Sequence, residues 1–275
     1  MADINEVLEV FEPTPAGDGA FTASHLDEGH QVVFGGQLLA QSLIAAARTV
    51  PDKEVLSLHC VFARAGAFTE PLDIRAEVLQ SGRAFATVSV TTSQSRGVCT
   101  RSTVMLHAPD ADRIRHGDPA PQVGAPDGWE ERPTPAFWDM RIVDDVDISD
   151  PALTGPAELR VWSRFPGVPT DDLALNQAML AYASDGFLIA TAMRPHEGIG
   201  QSLAHVTVST TVLTQTLTFH EPFRAADWLL LDQRSSYAGR GRSHGAANVF
   251  STDGRLVASF SQDNMIREMP EGRNY

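Results

Sequence analysis

Residues 35–50 read GGQLLAQSLIAAARTV, a stretch dominated by Ala, Leu and Ile, opened by two glycines and stopped by Pro51. That pattern predicts a helix. After it the spacing of apolar positions shortens to that of strands in SLHCVFARA, PLDIRAEVLQ, AFATVSVTTSQ and VCTRSTVML. Turn signals at Ser81-Gly82 and Ser95-Arg96-Gly97 divide these runs, so they predict an antiparallel sheet.

Residues 108–135 are rich in Pro, Gly and Asp and poor in large apolar side chains, as expected of a surface crossing between two units. The same order of elements then returns. Strand-like WDMRIV and AELRVWSRF precede a helix from about Asp172 to Met193, followed by LTQTLTF, WLLLDQRS, GAANVF and LVASFSQDNMI, with a hairpin turn at Asp253-Gly254. Gly82-Arg83 of the first half is answered by Gly241-Arg242, and Gly97 by Gly254. An internal duplication accounts for this, with units at 1–110 and 134–275 and a linker at 111–133. Each unit alone buries one sheet face against a single helix, so the pair is expected to pack sheet to sheet.

Composition narrows the function. A chain of 275 residues, 43% hydrophobic and 20% charged, suits two packed units in solution, with no stable insertion in a membrane. The formal charge of −14, with Lys53 the sole lysine, argues against nucleic acid as a partner. Cys60 and Cys99 sit in apolar runs without metal-ligand spacing, so buried thiols are expected and no metal. MADINEVLEVFEP lacks the basic and apolar regions of a signal peptide, which points to the cytoplasm.

The string GRSHG, 241–245, matches the G-x-S-x-G pattern of a hydrolase nucleophile elbow. The elbow needs a helix after the serine and an acid and a histidine downstream. A hairpin follows instead, and no histidine comes after His244, so Ser243 is read as a strand residue. Asp185 is the more informative polar residue. It interrupts LALNQAMLAYASDGFLIATAM, which is apolar almost all round. A carboxyl so placed is either satisfied by backbone or Ser184, or held at a raised pKa suited to a general base.

The strings VFGGQLLAQSL (33–43), AYASD (181–185), FHEPFRAADWLLLDQ (219–233) and DGRLVASFSQDNMIR (253–267) resemble, in order and across nearly the whole chain, the acyl-CoA thioesterase II family of TesB-like thioesterases. The resemblance implies an α+β double hotdog fold, two tandem units each with an antiparallel sheet wrapped around one long helix. It also implies hydrolysis of fatty acyl-CoA by a water held by an Asp, a Gln and a Ser/Thr hydroxyl, with no cofactor, and association into a homo-oligomer. The family Asp falls on Asp185 and the Gln on Gln262. The hydroxyl position is Val212 and the family's nearby Asp-His pair is Thr214-Gln215, so the chain departs from the pattern there. Simple strand alternation puts Thr214 on the same face as Val212 and about 7 Å along; either Thr214 or a shifted register supplies the third ligand of the water, or Asp185 and Gln262 hold it alone.

Gly36, at the start of the first helix, is the candidate backbone donor for an oxyanion, and Arg240 and Arg242, between glycines, are candidates for the phosphates of CoA. The acyl chain is expected between helices and sheets. Val212 keeps open a catalytically weak acyl-CoA binding protein. A hotdog enoyl-CoA hydratase, which pairs an Asp with a His five residues on, meets Ala190 at that place.

Overall fold

The computed structural model describes residues 2–26, 32–132 and 134–269. The first unit contains α1 (Ile4–Phe11), β1 (Thr14–Gly17), β2 (Ala20–Ala23), α2 (Gly35–Thr49), β3 (Glu54–Phe62), β4 (Leu72–Ser81), β5 (Phe85–Gln94) and β6 (Gly97–His107). The second contains β7 (Asp139–Ile142), β8 (Glu158–Arg164), α3 (Leu173–Ser184), α4 (Leu188–Met193), β9 (Val208–Phe219), β10 (Leu229–Gly239), β11 (Arg242–Ser251) and β12 (Leu256–Glu268). Two strands, a helix and four strands recur in the same order, so the duplication read from the sequence is present element by element. Helix α1, capped by the Asp3 carboxylate on the Asn5 and Glu6 amides, is an addition that the apolar spacing left unassigned.

The described strands form one sheet in the order β1-β2-β4-β5-β6-β3-β9-β12-β11-β10-β8-β7. The pairings are antiparallel throughout. Each unit therefore wraps its own α+β sheet around a central helix, the double hotdog arrangement. The expectation of sheet-to-sheet packing is corrected. The units join edge to edge, β3 pairing with β9 from Ser57↔Thr218 to Val61↔Thr214. Pairing the two edges satisfies backbone groups that would otherwise be left open, and the helices then share one interior.

The ends of α2 and α3 show how the helices lie. Gly36 at the start of α2 bonds Asp185 at the end of α3, while Arg48 in the last turn of α2 bonds Asp172, the residue capping the start of α3. The helices are thus antiparallel. Both are buried nearly all round; Leu39, Leu43 and Ile44 of α2 and Ala178, Met179 and Ala181 of α3 retain no accessible surface. Tyr182 of α3 is ringed by Phe11, Phe34, Phe137, Trp138 and Phe165 at centroid distances of 5.0 to 6.2 Å. These edge and tilted contacts fix the last turn of α3 against both units.

The expected single helix from Asp172 to Met193 is two. The Ser184 hydroxyl donates to the Ala181 carbonyl at 2.8 Å, and the Asp185 and Gly186 amides return to the carbonyls three residues back at 3.4 and 3.1 Å. Bonds of that span tighten and end an α-helix, so Asp185 stands at a terminus and its side chain is released from the helix surface.

Candidate active site

Asp185 reaches across to the first unit. Its Oδ2 accepts the Gly36 N–H at 3.1 Å, and its Oδ1 accepts from Gln262 Nε2 at 3.4 Å. The close approach explains the two glycines. A Cβ on Gly35 would lie 2.8 Å from Asp185 Oδ2, and one on Gly36 would lie 2.4 Å from the Tyr182 carbonyl oxygen. Gly36 is therefore brought to the predicted site, although its N–H points at the carboxyl and does not stand open as an oxyanion donor.

Asp185 as a whole keeps a little accessible surface, but its carboxyl is enclosed by protein. Loss of hydration disfavours the charged form, and the single bond from Gly36 offsets only part of that cost. The balance lifts its pKa from 3.8 to about 7. A carboxyl so tuned is half ionised near neutrality, where a general base is most effective. The Asp185 carboxyl is thus both bonded by backbone and held at a raised pKa.

Gln262 on β12 is 1% exposed and sits opposite Gln215 of β9. Gln262 Nε2 also donates to Gln215 Oε1 at 2.6 Å, and Gln215 Nε2 donates to Ser184 Oγ at 2.9 Å. Gln262 Oε1 is buried without a hydrogen-bond partner among the described residues. Gln215 was not singled out by motif, and the reason lies in β9. Asp263 pairs with Thr214 but Asn264 with Val212, so Leu213 is an extra residue in the strand. That bulge inverts the alternation: Val212 and Gln215 both face the interior, at 9% and 0% exposure, and Thr214 turns to the outer face. There its hydroxyl donates to Asp263 Oδ2 at 2.9 Å, beside His244 on the other carboxylate oxygen. The expectation that Thr214 shares a face with Val212 is thus overturned, and the structure does not bring Thr214 to Asp185.

Cys60 of β3 pairs with Gln215 across the seam between units. Burial pushes its thiol up to about 12, with the Asp185 charge adding to the rise, so at neutral pH it is a thiol and not a nucleophilic thiolate. Ser243 is 2% exposed on β11 and accepts from Asn264 Nδ2 at 3.3 Å, as befits a strand residue. Arg240 and Arg242 lie at the exposed β10–β11 turn, where Arg240 and Gly241 both adopt positive φ, 57° and 71°. Because Gln262 pairs with Gly245 and Met265 with Arg242, Arg242 stands about 10 Å along the sheet from Gln262, and Arg240 lies beyond it in the turn.

Clefts of about 540 and 580 Å³ open near the start of α3, the first lined by Arg48, Lys53 and Gln177 and the second by Phe223 and Trp228; Asp185 lines neither. Among the described residues no group of three or more His, Cys, Asp or Glu side chains is placed to hold a metal ion. No helix among them is long and apolar enough to cross a membrane.

Comparison with known proteins points in one direction. Residues 22–107 match the acyl-CoA thioesterase N-terminal domain and residues 116–266 the acyl-CoA thioesterase C-terminal domain. The chain is 28% identical to acyl-CoA thioesterase 2 of Haemophilus influenzae, over 97% of this chain and 99% of that protein. It is 27% identical to human acyl-coenzyme A thioesterase 8, over 98% and 92%. Its structure is similar to that of an acyl-CoA thioesterase II from Mycobacterium marinum, with TM-score 0.79, 29% identity and coverage of 98% and 99%.

Proposed function

From the premise that the chain belongs to the acyl-CoA thioesterase family, we propose that it hydrolyses fatty acyl-CoA by direct attack of water activated at Asp185. Acyl-CoA thioester hydrolysis is the family's reaction. The assignment of its steps to residues rests on one observation, the enclosed Asp185 carboxyl bonded to Gly36 N–H and Gln262 Nε2. In this reading a water donates one hydrogen bond to an Asp185 oxygen and the other to Gln262 Oε1, an acceptor without a protein partner among the described residues. As the water oxygen bonds to the thioester carbonyl carbon, its proton passes to Asp185. The tetrahedral intermediate collapses by breaking the C–S bond, and the departing thiolate of CoA takes the proton back from Asp185. Free acid and CoA leave, and the carboxylate is restored.

Thr214 is not given a part in this scheme, and Val212 leaves its position without a hydroxyl. Gly36 serves as the donor that keeps Asp185 ionisable. Arg240 and Arg242 are assigned to the phosphates of CoA as exposed cations on an otherwise acidic molecule. Reversing one of them, Arg242→Glu, is expected to raise KM severalfold at low salt and to leave kcat in place. The reading includes a homo-oligomer, since Val61, Phe85 and Met105 leave 39 to 52% of their surface exposed, area that a second copy would cover, and it includes a cytoplasmic location. Molecular mass in solution and cell fractionation check these two points.

The deciding test is release of free CoA from short to long acyl-CoA substrates by the protein, Asp185→Asn and Gln262→Ala. Turnover in the unaltered protein that falls about 100-fold or more in Asp185→Asn supports the scheme. Undiminished turnover in that variant would overturn it. Binding of acyl-CoA without any turnover would move the chain to the weak binding class.

A further inference from the structure

The order of hydrogen bonds behind Asp185 has a single consistent direction. Ser184 Oγ uses its proton on the Ala181 carbonyl at 2.8 Å, so toward Gln215 it acts as an acceptor. Gln215 must then present Nε2 to Ser184 and Oε1 to Gln262. Gln262 in turn has to offer Nε2, whose two hydrogens go to Gln215 Oε1 at 2.6 Å and Asp185 Oδ1 at 3.4 Å. What remains is Gln262 Oε1, buried and unpartnered among the described residues, as an acceptor facing away from Gln215. Reversing Gln262 would put its carbonyl oxygen against both Gln215 Oε1 and the ionised Asp185 carboxylate, two acceptor-to-acceptor contacts within a buried group.

We propose that Gln215 is a positioning residue, which with Ser184 fixes the orientation of the Gln262 amide so that Nε2 steadies Asp185 and Oε1 accepts from the attacking water. The proposal rests on the hydrolytic reading above and deepens it. It accounts for a site that works with Val212 where a hydroxyl is expected: the amide of Gln215, turned inward by the bulge at Leu213, holds Gln262 in place of holding the water. Gln215 touches neither water nor substrate in this scheme and acts through Gln262.

Gln215→Met keeps the length of the side chain and removes both ends of the relay, and Ser184→Ala removes only its anchor. Two readouts are needed. In CoA release, Gln215→Met is expected to lower kcat about tenfold or more with KM held within about twofold. Combined with Gln262→Leu, it is expected to add nothing to the loss that Gln262→Leu gives alone. In carbon-13 NMR of labelled aspartate, with Asp185→Asn assigning the signal, Gln215→Met is expected to shift the Asp185 titration upward. A Gln262 free to turn its oxygen toward the carboxylate disfavours the charged form. Cys60, the titratable group coupled to Asp185 across the seam, stays a thiol over that range. On the Gln262→Leu background the shift is expected to vanish.

The NMR readout does not depend on turnover. An unaltered protein without turnover would therefore sink the hydrolytic reading alone if the shift were still seen. Losses in kcat that multiply in the double variant, or an Asp185 titration unmoved by Gln215→Met, would overturn the relay. Should Gln215→Met fail to fold, Ser184→Ala replaces it in both measurements, with the same directions expected and the same results decisive.

Discussion

Asp185 is held where its charge is least comfortable, enclosed by protein with one backbone donor. The sign of its effect on stability follows from its pKa, raised from 3.8 to about 7 in the folded chain. The folded state binds the proton more tightly than the unfolded one, so the contribution to stability is complete below about pH 4. It is lost as pH rises toward 7, by an amount on the order of 4 kcal/mol at most. Asp185→Asn removes the titration. Its melting temperature is expected to exceed that of the unaltered protein at pH 8, with the gap closing by pH 4. A constant gap at both values would show that burial does not set this pKa. The same ionisation predicts kcat/KM rising through about pH 7. At Gly36 the constraint is steric, because an added Cβ would lie 2.4 Å from the Tyr182 carbonyl oxygen, a backbone atom unable to step aside. Gly36→Ala is expected to cost a few kcal/mol in denaturant unfolding and most of the activity, since separating α2 from Tyr182 also separates Gly36 N–H from Asp185.

At the scale of elements, two irregularities position the groups of the candidate site, the end of α3 and the bulge in β9. Apolar spacing reveals α2 and the strands of both units, and the resemblance marks Asp185 and Gln262. Ser184-Asp185-Gly186 are weak helix formers and mark the end of α3, but the apolar run on both sides carries the helical spacing past them; the end itself is made by bonds from Ser184 and Gly186 to carbonyls one turn back. The bulge at Leu213 is hidden from the sequence. One extra residue in TVLTQ exchanges the faces of Thr214 and Gln215 without disturbing the pattern of β-forming side chains. Thr214 therefore gives a direct check on the bulge. With its hydroxyl on Asp263 at the outer face, Thr214→Ala is expected to keep kcat within about twofold of the unaltered protein, as surface substitutions usually change little. A large loss would show that the strand runs in unbroken alternation and that Thr214 faces the water after all.

Across the whole molecule, the site belongs to the seam between the two units. Cys60 of β3, Gln215 of β9 and Gln262 of β12 lie side by side across adjoining strands, and Gly36 comes from the first unit to meet Asp185 of the second. Neither unit holds the site alone. The seam is also built for cooperativity: β3 and β9 share a ladder, Leu58 pairs with Leu217 there with both side chains buried, and α2 lies against α3 within one interior. Separating the units would expose that apolar surface and leave the edges of β3 and β9 unpaired, a cost much larger than the few kcal/mol that distinguish partly folded states. The duplicated chain is therefore expected to unfold as one unit. Calorimetric and van't Hoff enthalpies should agree, and CoA-releasing activity should disappear over the same denaturant range as the helical signal. Two resolved transitions, with activity lost in the first, would mean that the seam holds the catalytic groups together without binding the two units into one folding unit.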